Sequence, residues 1–196
     1  MKIIFIGFLL RFFLTIIDNY FFSLPGGEFD PGAFHLKGIQ FKEYLELSNS
    51  EKGYDLKFGW IYSVFLGFVY YIFGVSKFLG AFLSCVAWLI SALILRKIMI
   101  KLNFKKEITI IALITYTFFF PSSIIYSSFV LREAYLLLFS NLIFLIILNF
   151  FNSRSLQFKF INLIYFLVLI FLIFLFHKAG ALFVGSILGL VIPYIF

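Results

Sequence analysis

Charge is scarce in this chain: 13% of its 196 residues are Asp, Glu, Lys or Arg, about half the share found in soluble domains. Together with a mean hydropathy of +1.10, that deficit excludes a soluble globular domain and makes the chain an integral membrane protein. Cysteine is nearly absent as well. The single Cys85 lies within an apolar run, so neither a disulfide framework nor a cysteine-based metal site is available within one chain. The GxGxxG fingerprint, the Walker lysine motif, HExxH and CxxC are all missing, which removes the usual sequence signals for nucleotide, zinc and thiol chemistry. No repeat and no soluble appendage is evident, so residues 1–196 are expected to form one transmembrane domain.

What the chain has is apolar sequence, with 32 phenylalanines, and its runs sort by length. A helix needs about 20 apolar residues to cross roughly 30 Å of hydrocarbon. Residues 3–24, 78–100, 108–128, 134–151, 160–176 and 179–196 meet that requirement. The expected fold is therefore all-α, a polytopic transmembrane bundle of about six spans. Residues 1–24 could pass for a signal peptide, but Arg11 breaks the apolar run and no small-residue cleavage site follows, so they read as a retained first span. Residues 58–73 form a shorter run, rich in Trp and Tyr, that is expected to lie at the interface rather than cross. Residues 25–77 then form one external loop with juxtamembrane helices.

The net charge of +7 would suggest nucleic acid in a soluble protein. Here the basic residues flank apolar runs, so topology accounts for them and no nucleic-acid partner is expected. With the amino terminus inside, Lys2, Arg96, Lys97, Lys101, Lys105, Lys106, Arg154 and Lys159 all face the cytoplasm. A rival arrangement, seven spans with the amino terminus outside, satisfies a crude charge count but puts residues 25–57 beside Arg96 and Lys97. The six-span arrangement, in a membrane such as the bacterial cytoplasmic (inner) membrane, is preferred because long loops count less in the rule.

Chemistry is concentrated in the polar stretch 25–57, which holds six of the nine acidic residues. Asp30-Pro31 is a helix-start signal, with Asp30 as cap and Pro31 in the first turn. A helix to about residue 47 should follow, turning Phe34, Phe41 and Leu45 to the membrane surface. Asp30 could also serve as a general base toward a hydroxyl acceptor, with Glu28 and His35 nearby as substrate contacts. Arg132 suits bidentate binding of a phosphate, and Glu133 could orient a substrate or help to hold a divalent cation, although the residues specify no cofactor. His177-Lys178 interrupts apolar sequence abruptly and is a further candidate for substrate binding. Arg11 sits near the middle of the first span, where charge is costly and faces the protein interior. Asp18 lies two turns away, too far for direct pairing, so a structural ion network is expected.

The order of these features resembles the GT-C class of membrane glycosyltransferases. The likeness runs through Arg11 and Asp18-Asn19-Tyr20, Leu24-Pro25-Gly26-Gly27, Asp30 with Phe34-His35, Tyr71-Ile72-Phe73-Gly74, and Pro121-Ser122-Ser123 to Leu131-Arg132-Glu133. The resemblance implies a lipid-linked sugar donor, a polyprenyl phosphate sugar, used on the extracytoplasmic face. It also implies that Asp30 is the catalytic base, that Glu133 is a second acid near the substrate, and that the anomeric carbon is inverted. Such enzymes have more spans than this chain supplies, so a fragment or a minimal relative is expected. Two other readings compete. A polysaccharide polymerase, flippase or ligase would use Arg132, His177 and Lys178 without a base at Asp30. A non-catalytic membrane subunit or small transporter would instead use interior polar residues such as Arg11 and Asn141 and a break at Pro121.

Overall fold

The structure, a computed structural model, describes residues 1–27, 29–47 and 61–177. Among them are eight α-helices and no strand: α1 (Lys2–Tyr20), α2 (Phe29–Glu46), α3 (Ile61–Phe73), α4 (Lys77–Lys101), α5 (Lys106–Phe118), α6 (Pro121–Tyr126), α7 (Glu133–Asn152) and α8 (Leu156–Phe176). Four of them, α1, α4, α7 and α8, are long and apolar enough to cross a membrane. They correspond to four of the six expected spans. The run 179–196 lies outside the described residues.

The remaining expected span, 108–128, is not one helix. It divides into α5 and α6, with Phe120 between them in a non-helical conformation. Pro121 causes the division, because its ring disfavours helical geometry at the preceding residue and it has no N–H to offer the carbonyl four residues back. At 13 residues, α5 is about 20 Å long, short of the hydrocarbon thickness. The same arithmetic applies to α3, also 13 residues.

Helix α4 is the centre of the bundle and packs against α1, α5 and α7, while α8 packs on α7. Its amino terminus is capped by Ser76, whose Oγ accepts from the Leu79 N–H at 3.2 Å. Helices α2 and α3 form a hairpin against one end of this bundle. Gly38 and Gly67 bring the two backbones together: a Cβ added at Gly67 would fall 2.9 Å from the Gly38 carbonyl oxygen and 2.6 Å from the Phe41 ring. Phe34 and Phe41 are buried in that contact. This corrects the expectation that they face the membrane surface, because the partner supplied by α3 is a better apolar cover than an interface. Tyr62, Leu66 and Tyr70 of α3 are likewise fully buried, in the main core with Phe129, Val130 and Tyr135.

Side-chain pairs fix which ends lie together. Lys77 at the start of α4 bonds Asp18 near the end of α1, and Lys101 at the far end of α4 bonds Asn149 near the end of α7. Arg132, just before α7, reaches the carbonyl of Phe176 at the end of α8. One end therefore carries the α2–α3 hairpin, residues 127–133 and His177. The opposite end carries Lys2, Arg96, Lys101 and Lys106. Between the ends, large apolar side chains point outward, among them Phe13, Phe158, Phe160, Leu167 and Phe171, as lipid-facing helices require.

Candidate functional site

The site is built around the break that Pro121 introduces. Without an N–H at residue 121 the Thr117 carbonyl has no helical partner, and Arg11 supplies one, with Nη2 donating at 3.2 Å. The same guanidinium donates from Nε to Ser127 Oγ at 2.8 Å and from Nη1 to the Gly7 carbonyl at 3.0 Å. Its Cζ lies 3.5 Å from the Trp88 ring centroid. Arg11 is fully buried, and its partners are uncharged. Asp18 pairs with Lys77 at 3.1 Å instead, and also accepts the Leu24 N–H at 2.9 Å. The expected ion network thus exists at Asp18, while Arg11 serves the interrupted backbone. Two helical turns separate them, and each found a nearer partner.

After α6 the chain runs without helix from Ser127 to Leu131, all of it buried. Irregular backbone inside an apolar bundle needs internal partners for its carbonyls. Three small polar side chains provide them: Cys85 Sγ donates to the Ser127 carbonyl (3.3 Å), Thr15 Oγ1 to that of Ser128 (2.8 Å) and Ser84 Oγ to that of Leu131 (3.2 Å). None of these three was a candidate from sequence. Their only signal there is a small polar side chain within an apolar span, which is typical of helix contacts in membranes.

This strapped segment delivers Arg132 and Glu133 to the start of α7. Arg132 Nη1 donates to the Phe176 carbonyl at 3.1 Å, its Nε lies 3.8 Å from Glu133 Oε1, and its Cζ sits 5.3 Å from the centre of the Phe34 ring. Glu133 Oε2 is buried and has no hydrogen-bond partner among the described residues. Glu133 is among the residues lining a cavity of about 580 Å³ between α5, α6, α7 and α8. Ser123, Tyr126, Ser127, Ser140 and His177 also line this cavity, with Phe120, Leu136, Leu137 and Ile173 as its apolar wall. Ser123 Oγ is a second buried oxygen without a partner among the described residues. Deeper in the wall, Tyr116 Oη lies 2.8 Å from Ser91 Oγ, which also accepts from Asn141 Nδ2 at 2.9 Å.

The structure brings some predicted residues together and separates others. Glu133 and His177 share the cavity, and Arg132 lies beside it. Asp30 is exposed and outside the cavity lining. It sits in the first turn of α2, which starts at Phe29, so the expected cap falls one or two residues inside the helix. One turn along is Phe34, the ring next to Arg132, so Asp30 belongs to the cavity end of the bundle. His35 turns away, with Nδ1 2.8 Å from Tyr70 Oη. Burial holds the His35 pKa below its usual value, and the positive charge of Lys77 lowers it further. Glu28 and Lys178 lie outside the described residues. Among the described residues no three His, Cys, Asp or Glu side chains gather as metal ligands.

No family model, curated protein or solved structure matches the chain. A mostly apolar cavity within apolar helices, with a carboxylate, an imidazole and hydroxyls among its lining residues and a guanidinium beside them, has the make-up of a site for an amphiphile with an anionic head.

Proposed function

We propose that this chain is a membrane-embedded transferase, moving a sugar from a polyprenyl phosphate donor to a hydroxyl acceptor at the cavity end of the bundle. That end faces away from the cytoplasm, with the basic end inside, in accord with the charge rule. The observation that carries the reading is the convergence of Arg132, Glu133 and His177 at one cavity mouth, from the start of α7 and the end of α8. In this reading the acceptor oxygen attacks the anomeric carbon, and a carboxylate takes its proton. The bond to the phosphate oxygen breaks with its electron pair, leaving a polyprenyl phosphate and an inverted sugar. Charge that develops on the phosphate is stabilised by Arg132, already oriented by the Phe176 carbonyl. Glu133, with a buried unpartnered oxygen, is better placed as the base than exposed Asp30, to which the family resemblance gives that role.

Purified protein in liposomes supplied with polyprenyl phosphate hexoses and a panel of hydroxyl-bearing glycan acceptors should release polyprenyl phosphate and glycosylate an acceptor, both read by chromatography. Glu133→Gln should lower the rate by about 10²–10⁴-fold, the usual contribution of a general base, and Asp30→Asn by much less. If both variants keep the wild-type rate, the transferase reading is wrong.

A second reading, a flippase or transporter of the same lipid-linked class, is favoured by the interruption between α5 and α6. Discontinuous helices beside buried polar groups are a hallmark of transport sites, and Arg11 lies at this one. In the same liposomes such a protein would move a fluorescent lipid phosphate between leaflets without breaking the sugar–phosphate bond, and Glu133→Gln would leave that bond's stability unchanged.

A further inference from the structure

The end of the bundle remote from the cavity carries a second recess, of about 670 Å³, between the start of α1, the end of α4 and the start of α5. Its rim bears Lys2, Arg96 and Lys106. None of the three side chains has a hydrogen bond or ion pair among the described residues, unlike those of Lys77, Lys42 and Arg132, which are engaged elsewhere. Besides Thr109, Asn103 contributes to the polar part of the wall. It is held there by a left-handed turn (φ 55°) that reverses the chain between α4 and α5. No acid lines the recess, and Glu107, although it follows Lys106, is not among the lining residues.

Below this rim the recess is apolar, lined by Ile3, Ile100 and Leu113. Ile100 near the end of α4 and Phe104 in the turn that follows are both exposed apolar side chains. Three cations converging with no counter-charge call for an anion, and the floor calls for apolar cover. A free phosphate answers only the first requirement. We propose that this recess is a binding site for the headgroup of an anionic phospholipid, its phosphate held by Lys2, Arg96 and Lys106 and its glycerol and upper acyl carbons lying on Ile100 and Phe104. Basic pockets between membrane helices are known to take such headgroups, with roughly 1 kcal/mol per basic residue. The site is independent of the transferase reading, and its occupant would anchor the junction of α1, α4 and α5.

The test uses the full chain, purified in neutral detergent, with bound lipid counted by native mass spectrometry after addition of phosphatidylglycerol or phosphatidylcholine. Phosphatidylglycerol should be retained preferentially. In the Arg96→Gln/Lys106→Gln variant its apparent affinity should fall about 30-fold, the conversion of two such contributions. Lys37→Gln/Lys42→Gln, at the other end, should leave it within about twofold. Equal retention of the two lipids, or equal losses in the two variants, would overturn the proposal. Competition by millimolar inorganic phosphate that empties the site would overturn the lipid assignment in favour of a free anion. Circular dichroism of both variants confirms that the helices are retained.

Discussion

Arg11 offers the sharpest test of how the broken helix is held. Replacing it with Met keeps the volume and apolar contact but removes three hydrogen bonds and the cation–π contact with Trp88. A hydrogen bond from a charged donor is worth about 1.5–3 kcal/mol, and a desolvated cation–π contact about 2 kcal/mol. The substitution also relieves the cost of burying an unpaired charge, so the single variant mixes opposing terms. A double-mutant cycle separates them. In Pro121→Ala the restored N–H and the freed geometry at Phe120 let the helix close on the Thr117 carbonyl, so Arg11 is no longer its sole partner. Removing Arg11 should then cost less than in the wild-type background, by about 1 kcal/mol, the scale of hydrogen bonds measured between membrane helices. Reversible unfolding in mixed micelles, followed by far-ultraviolet circular dichroism, measures all four proteins. A coupling energy within about 0.3 kcal/mol of zero would refute the claim that Arg11 compensates for Pro121.

Other outcomes follow from the packing at the cavity end. Gly67→Ala should destabilise the α2–α3 hairpin by about 1–3 kcal/mol through overpacking, since its Cβ would fall 2.6 Å from Phe41. Gly32→Ala on α2, where a Cβ meets nothing within 4 Å, should be neutral or stabilise by up to about 1 kcal/mol; equal losses at both positions in thermal unfolding would contradict the packing described. The depressed pKa of His35 makes stability pH-dependent. The unfolded chain binds a proton near 6.5 that the folded hairpin resists, so stability falls as pH drops through that value. His35→Phe should remove this dependence in melting curves recorded between about pH 7.5 and 5.5; an unchanged slope would place the titration elsewhere.

Much of the helix layout was legible because hydropathy and length are local properties. The expected spans at 78–100, 134–151 and 160–176 agree with α4, α7 and α8 to within a few residues. The separation of basic residues from Asp30, Arg132-Glu133 and His177 was legible too, since alternation along the chain decides which connections share an end. The break within 108–128 figured only in the rival transporter reading, and the span was otherwise expected to be continuous, because averaged hydropathy is blind to a single proline such as Pro121. Which apolar faces meet protein rather than lipid was also beyond reach. Phe34 and Phe41 look the same against either solvent, and only the close approach at Gly38 and Gly67 decides the matter. At the site, Arg132, Glu133 and His177 stood out as charges in apolar sequence. The carbonyl partners Thr15, Ser84 and Cys85 did not, because each lies more than 40 residues from the backbone it serves.

The proposed site requires the cavity end and the basic end to face opposite compartments. Single cysteines at positions 30, 133, 177 and 103, introduced into intact cells and treated with a membrane-impermeant maleimide, read this directly, and native Cys85 is fully buried. Positions 30, 133 and 177 should label from outside, and position 103 only after permeabilisation. Labelling of position 103 together with position 30 would contradict both the orientation and the shared site.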